Sequence, residues 1–422
     1  MKKKLAIILA GLLCAGSFAS CASSSRSSEN KAAENTGNRP KMVIAISELQ
    51  EDFYQEAVAA YCRLHPETEV EIEVVPWIDN TPTEKTEKDS KAIKDMQVQI
   101  MAGKGPDVFL LDESNELLPD MVKNSYNGVF LDLNTVMDNL KSLPLNQVVR
   151  KAGELDGKQY FLPLGYTLTG IAATEDMLEG WKPSSSQPDE FLNEAASHMG
   201  VKEFPREPWL REYIPGLFGT PVLDYGEKSI TFSRDFMDLT ELLADGAEFT
   251  DENAPELPDI MNVGDYRSST FEKLVERSFA SGTDVKFLPF PNGERGTNAQ
   301  VNVFAAVRAN SAYASQAGEF LAFLLSDEIQ GSTDGFTAIP VNNNAVVPAY
   351  QYRFTFGIEE YEKKAAKKAE ELFQITQQVT TARFCQYENS LIFNAVFMTS
   401  ENNTVEEKLD DLKNELRFYF DE

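Results

Sequence analysis

The chain reads as an α/β protein of two lobes, and three features point there. The apolar run Met42-Val-Ile-Ala-Ile46 suits a buried strand, and it is followed by a helix pattern and then a second strand, an order that implies parallel strands joined by a right-handed crossover. A second unit of the same kind ends in another apolar run, Asp107-Val-Phe-Leu-Leu111. About 380 residues lie beyond the first forty, more than one hydrophobic core usually organises.

Each element has its own signal. Phe53, Ala57, Ala60, Tyr61 and Leu64 recur at helical spacing, and Pro66 stops that helix. His65, just before the proline, is expected to make a contact at the helix C-terminus. Val70, Ile72 and Val74 alternate with Glu69, Glu71 and Glu73, which is strand period. Ile93, Met96, Gln97 and Ile100 mark the next helix. Gly103-Lys104-Gly105-Pro106 lacks phosphate-loop spacing and follows a helix, so its expected task is to end that helix and turn into the strand. At the C-terminus Thr404 and Glu407 form a capping-box pattern ahead of one apolar stripe, Val405, Leu409, Leu412, Leu416 and Tyr419. The six prolines between Trp181 and Pro221 read as irregular chain. Trp77, after Pro76, is expected in the core.

The first forty residues carry a separate message. Lys2, Lys3 and Lys4 precede a short apolar stretch, Leu5 to Leu13, and Phe18-Ala19-Ser20 precedes Cys21. This layout predicts a signal peptide over residues 1–20 and a lipid on Cys21, with a plain secretory signal cut near Ala19 as the competing reading. Residues 21–40 are rich in serine and nearly devoid of apolar side chains, so they read as a flexible tether.

Composition narrows function. The formal charge is -28, with 67 acidic residues against 39 Lys and Arg. Such a field opposes binding to nucleic acid. Beyond Cys14 and Cys21, Cys62 and Cys385 remain. They read as two buried free thiols, although a disulfide is chemically open to them outside the cell. With only His65 and His198 and no zinc or calcium spacing, neither a metal nor a cofactor is expected.

Several segments, taken in order, resemble one family. Ala102-Gly-Lys-Gly-Pro-Asp-Val-Phe-Leu-Leu-Asp112 is similar to a signature of the extracellular solute-binding proteins of ABC transporters, family 1, the group that includes maltose-binding protein. Gly128 to Leu133, Leu155 to Pro163, Phe287 to Asn292, Ala317 to Ser326, Ile339-Pro-Val341 and Thr404 to Phe420 resemble further segments of that family in the same order. The region from about 180 to 285 lacks the family's Phe-xx-Gly-xx-Ala-Met element.

The resemblance implies a two-lobe periplasmic-binding-protein-like fold of type II. Each lobe would be a mixed, mainly parallel sheet flanked by helices, with a hinge and an interlobe cleft. It implies an N-terminal lobe of 41–165 plus 287–326 and a C-terminal lobe of 166–286 plus 327–422. The chain is expected to cross between them near Gly165 to Thr169 and again near Lys286. It further implies a monomer that closes over a small solute, a sugar or oligosaccharide, and delivers it to membrane permease subunits, with no catalytic residues.

Ligands of open α/β sheets bind beyond the carboxyl ends of strands. Polar and aromatic residues at such positions are Glu48, Gln50, Asp112, Glu113, Tyr166, Trp209, Tyr213, Asn302 and Phe336. Aromatic faces cover sugar C–H surfaces, and carboxylates and amides bond hydroxyls, so this mixture suits a saccharide. Glu48 has the alternative of capping the helix near Glu51, and Asp112 that of capping a turn at Ser114. Competing readings are a receptor for a peptide or a cationic small molecule and, with less support, a surface glycoside hydrolase.

Overall fold

Strand β1 (Met42–Ser47) is apolar because it lies inside the sheet, parallel to β2 (Val70–Val75) on one side and to β3 (Val108–Asp112) on the other. This is the computed structural model of the chain, and it describes residues 41–78, 83–201, 208–244, 258–264, 270–280, 282–332, 338–352, 357–399 and 403–421. The expected signal peptide, the lipid site Cys21 and the tether lie outside the described residues, as does Phe336. Among the described residues no helix is long and apolar enough to cross a membrane.

Helix α1 (Glu51–Leu64) buries Phe53, Tyr54, Ala57, Val58 and Tyr61; of the stripe expected from spacing, Ala60 is only half-buried and Leu64, in the last turn, is 65% exposed. It ends at His65, whose N–H donates to the Tyr61 carbonyl at 2.9 Å and whose ring stacks on Tyr61 at 4.3 Å. Helix α2 (Glu84–Met101) is capped by Thr83. Gly103 and Gly105, at φ +69° and +88°, then turn the chain into β3. Glycine tolerates this left-handed backbone at little cost. Trp77 departs from expectation. It is 43% exposed, because the chain leaves the sheet after Val75 and the Trp77 N–H is tied to Glu48 at 2.8 Å. Cys62 is half-buried, Cys385 is buried, and both are free.

Two long strands carry the rest. β4 (Phe161–Thr174) and β7 (Thr297–Val307) pair antiparallel near their middles. Beyond Thr167, β4 changes partners and pairs with β5 (Asp259–Val263) and β6 (Val285–Pro289). β7 pairs with β3 through Val303–Val307, and its other end pairs with β9 (Val379–Arg383) in parallel. β8 (Ile339–Pro340) adds to β4. The strand order is β6-β4-β7-β3-β1-β2 in one nine-stranded mixed sheet. The partner change on β4 falls at Thr167–Leu168, inside the expected crossing. On β7 the register shifts at 301–303, whereas Lys286 sits on β6 opposite Ala173.

Further helices among the described residues flank the sheet, including α3 (Met121–Tyr126), α4 (Pro188–Met199), α5 (Ile214–Leu217), α6 (Arg234–Ala244), α7 (Thr270–Ala280), α8 (Ala314–Leu324), α9 (Asn343–Tyr352), α10 (Glu359–Thr376), α11 (Gln386–Phe397) and α12 (Val405–Glu415). They form two cores. The larger joins Ile44, Phe109 and Phe304 of the sheet to Tyr61 of α1, Phe320 of α8, Val346 of α9 and Leu372 of α10. The smaller joins Ile171 and Ile260 to Phe191 of α4, Leu239 of α6, Ile392 of α11 and Leu409 of α12. On β4 the neighbours Ile171 and Ala172 go to different cores, as strand alternation requires. The capping box at Thr404 and Glu407 is formed, and the helix it opens gives way at Leu416 to a 3-10 turn ending at Asp421.

Asp107 fastens the start of β3. Its buried carboxylate accepts from Val43 N–H at 3.0 Å, Arg308 Nη2 at 2.7 Å and Ser311 Oγ at 2.8 Å. Removing one partner of a buried, hydrogen-bonded pair leaves the other uncompensated. Asp107→Ala should therefore lower the unfolding free energy by about 3 kcal/mol or more, read from urea denaturation.

A second ionic knot joins β6 to α10. Asp284 accepts from Lys286 at 2.8 Å and from Lys367 and Lys368 at 2.5 Å each, and Glu371 bonds Lys286 and Lys368 at 2.7 Å each. Burial alone would raise the Asp284 carboxyl, but the three lysines outweigh it and hold the group well below the ordinary carboxylate range. Glu371 is lowered in the same way. A carboxyl with a depressed folded pKa adds stability above its unfolded pKa, about 4, and loses it as pH falls. Urea midpoints measured from neutral to acid pH should fall below about pH 4, and the fall should be shallower in Asp284→Asn.

Candidate functional site

β4 and β7 carry amides and hydroxyls where both would otherwise be apolar. Asn298 and Gln300 share one face of β7. Gln300 Nε2 donates to Thr169 Oγ1 of β4 at 3.3 Å, and Thr169 pairs with Asn262 of β5. Asn298 Nδ2 donates to the Gly216 carbonyl of α5 at 2.7 Å, and Gly216 N–H donates to Asn389 Oδ1 of α11 at 3.1 Å. At the register shift of β7, Asn302 Nδ2 donates to the Gly264 carbonyl at 3.0 Å while its own carbonyl accepts from Glu113 N–H at 2.9 Å. All these amide side chains are buried. Gln300 Oε1, Asn302 Oδ1, Asn262 Nδ2, Asn389 Nδ2 and Thr167 Oγ1 have no hydrogen-bond partner among the described residues. A buried polar atom left unbonded costs about 1–3 kcal/mol. Five on neighbouring strands and one facing helix make a polar floor of unused bonding capacity.

Beside that floor, across β9, lies a cavity of about 190 Å³. One side is built by Glu113, Asp120 and Met121 after β3, with Leu155; the other by Leu223, Tyr225, Gln386, Tyr387 and Glu388, with Arg383 and Phe384 at the base. Met121 belongs to the larger core, whereas Leu223, Tyr225 and Tyr387 pack on the smaller. The cavity thus lies between the two cores.

Its charges are held in place. Arg383 gives Nη2 to Glu388 and Nη1 to the carbonyls of Pro215 at 3.3 Å, Phe218 at 3.0 Å and Thr220 at 2.9 Å. The other Glu388 oxygen accepts from Leu223 N–H at 3.0 Å. Asp120 caps α3 by accepting from Lys123 N–H at 2.9 Å, and its second oxygen accepts from the hydroxyls of Tyr225, at 2.7 Å, and Tyr419. Burial raises the Asp120 carboxyl above its ordinary value despite these donors, and burial pushes the Tyr387 hydroxyl up to about 12. Cys385, between Phe384 and Gln386, is pushed up to about 12 by burial, so it remains a neutral thiol. Two rings line the cavity, and each is backed by another: Tyr225 stacks with Tyr126 at 6.2 Å and Tyr387 with Tyr419 at 5.6 Å. Among the described residues no group of His, Cys, Asp and Glu could hold a metal ion.

The residues singled out in the sequence fall in different places. Glu113 lines the cavity, and Asn302 lies in the polar floor. Gln50 is buried after β1, and neither amide atom has a partner among the described residues. Glu48 bonds Trp77 N–H at 2.8 Å and Lys85 at 3.3 Å, tying the chain after β2 to α2, while Ser47 makes the local cap. Asp112 is fully engaged by Ser47 Oγ, by Ser114 Oγ and by Ser114 N–H at 2.9 Å, so it closes the turn after β3. Tyr166 is wholly buried in the larger core, and Tyr213 is buried just before α5. Trp209 lies on the 3-10 turn Pro208–Tyr213, and its side chain is outside the described set.

The cavity residues that the reading passed over are Asp120, Tyr225, Arg383, Gln386, Tyr387 and Glu388. The strand-end rule would have reached the last four, because they close β9 and open α11. Gly216 is held so closely that a Cβ there would overlap the Gln300 amide. Gly216→Ala should lower stability by about 1–3 kcal/mol, and the loss should shrink in a Gln300→Ala background, a coupling that a double-mutant cycle of thermal melts reads directly.

The chain's likeness to known proteins lies in this same architecture. The family model for bacterial extracellular solute-binding proteins matches residues 47–331. No curated protein matches the chain. Among solved structures, an extracellular solute-binding protein family 1 from Alicyclobacillus acidocaldarius aligns over 91% of this chain and 99% of its own, at 12% identity and TM-score 0.57. A periplasmic oligogalacturonide binding protein from Yersinia enterocolitica aligns over 90% and 99%, at 15% identity and TM-score 0.57. An ABC substrate-binding protein from Listeria monocytogenes in complex with cycloalternan aligns over 90% and 99%, at 14% identity and TM-score 0.55. At these identities the likeness is one of fold.

Proposed function

From a chain that belongs to the bacterial extracellular solute-binding proteins, matched over more than half its length, we propose a binding protein for a sugar or oligosaccharide that serves an ABC importer. The observation that carries this reading is the cavity between the two cores. It is walled by both lobes and pairs tyrosine faces with fixed polar groups. Ring faces of Tyr225 and Tyr387 suit the C–H surface of a pyranose, and the Gln386 amide and Glu113 carboxylate suit its hydroxyls. The polar floor lies next to this wall, and the Asn302 carbonyl holds the Glu113 N–H in place. Two fold neighbours are an oligogalacturonide binding protein and a protein in complex with cycloalternan, and both support a saccharide for this chain.

Ligand capture would be a hinge motion about β4 and β7, which are common to both lobes. In this reading the lobes divide near 165, 286 and 326. Cys21 carries the lipid that holds a monomer at the outer membrane face, and permease subunits receive the closed form. The sequence layout of residues 1–40 supports the anchor, and the strand exchange on β4 supports the first division.

A thermal-shift screen of residues 41–422 against mono- and oligosaccharides, peptides and polyamines tests this reading. A ligand at about 100 times its dissociation constant should add about 2.7 kcal/mol of stability and raise the melting temperature. A rise with a saccharide recovered intact supports the reading; a cleaved saccharide, or a rise with peptides or polyamines alone, overturns it. For the saccharide found, Tyr387→Ala should weaken binding by about tenfold or more in calorimetric titration.

A further inference from the structure

We infer that the interlobe cavity selects an uncharged saccharide and rejects an acidic one. The inference rests on the saccharide reading above and refines its ligand class. The basis is how the charged side chains of the cavity are already engaged.

A site that accepts a sugar carboxylate needs a cation with open N–H groups, usually a guanidinium presenting its fork. Among the described residues lining the cavity, Arg383 is the one cation. Its fork faces its own chain. Nη2 is taken by Glu388, and Nη1 gathers the carbonyls of Pro215, Phe218 and Thr220. Glu388 is in turn fixed by Leu223 N–H at 3.0 Å, so the pair is a built part of the wall. Lys123, which follows the lining residue Val122 in α3, gives its Nζ to the Tyr419 carbonyl at 2.8 Å and lies over that ring at 4.0 Å.

The carboxylates point the other way. Glu113, Asp120 and Glu388 all line the cavity against that single guanidinium. A uronate brought between them would lose its water and meet like charge with no available counter-cation, a repulsive element of the kind that sets specificity. The formal charge of -28 opposes acidic ligands at longer range. A neutral sugar meets none of these costs, since ring faces and one amide suffice for its C–H and hydroxyl surfaces.

The test turns on one ligand pair, trigalacturonate and its methyl ester, which share sugar and linkage and differ in charge. Residues 41–422 are titrated calorimetrically with neutral trisaccharides (maltotriose, cellotriose, xylotriose, galactotriose), with trigalacturonate and with its methyl ester. The expected result is binding of at least one neutral compound and at least about tenfold weaker binding of trigalacturonate than of its ester or of that neutral ligand. The preference should persist at about 0.5 M salt, where long-range repulsion is screened and only the local wall remains. Trigalacturonate binding as tightly as its ester overturns the inference while leaving the saccharide reading intact. Binding of no saccharide overturns both.

Glu388→Gln supplies a gain of function. It frees one edge of the Arg383 fork and keeps an acceptor for Leu223, so trigalacturonate affinity should rise at least about tenfold in a variant whose melting curve shows it folded. An unchanged affinity in the folded variant overturns the inference. If the variant does not fold, the acid and ester pair on the unmodified chain still decides.

Discussion

The pairing of β4 with β7 is the constraint on which the rest of the structure depends. Each strand is long enough to serve both lobes, and they meet antiparallel where each changes its other partner. Because their backbone groups are satisfied by neighbours on both sides, the waist stays ordered while the flanking cores remain separate. The register of β7 against β4 shifts at 301–303, and bulges commonly re-aim side chains near sites. Asn302 sits at that shift and links the ends of β3 and β5 through Glu113 and Gly264.

That constraint explains the chemistry of the waist. The face of the shared strands that neither apolar core takes carries buried polar side chains instead. Asn298, Gln300, Thr167, Thr169 and Asn262 fill the face that α5 and α11 cover, and several of their polar atoms stay unbonded. Next to them, Arg383 gathers three carbonyls of the Pro215–Thr220 segment and a carboxylate of α11. The wall of the cavity is therefore preorganised by one guanidinium. Preorganised groups lose little freedom on binding, which favours affinity without added contact area.

Much of this was legible in local pattern. The apolar runs at Met42 and Asp107, the alternation at Val70–Val74 and the capping box at Thr404 depend on residues a few positions apart, and each formed as read. The strand-end rule reached Glu113, which lines the cavity, and Asn302, which lies in the polar floor next to it. The same rule carried Glu48 and Asp112 to strand ends where nearer partners took them: Trp77 and Lys85 for one, Ser47 and Ser114 for the other. Tyr166 lies one residue from Thr167, and strand alternation turned its side chain into the core. Trp77 was misread because a tryptophan after a proline carries no periodicity from which to judge its face.

By itself the sequence determined the class of the fold, the parallel first units and the turn chemistry at Gly103–Gly105. All of these follow from backbone preference and the period of apolar residues. Only the tertiary structure decided which polar groups meet. Asp120, Tyr225, Arg383 and Tyr419 lie on segments as much as 299 residues apart in the chain, and nothing local in any of them announces the others. Whether a charged side chain faces a ligand or is occupied by its own chain depends on the packing of two lobes around shared strands. That packing is set by the summed burial of two cores, a property of the whole chain.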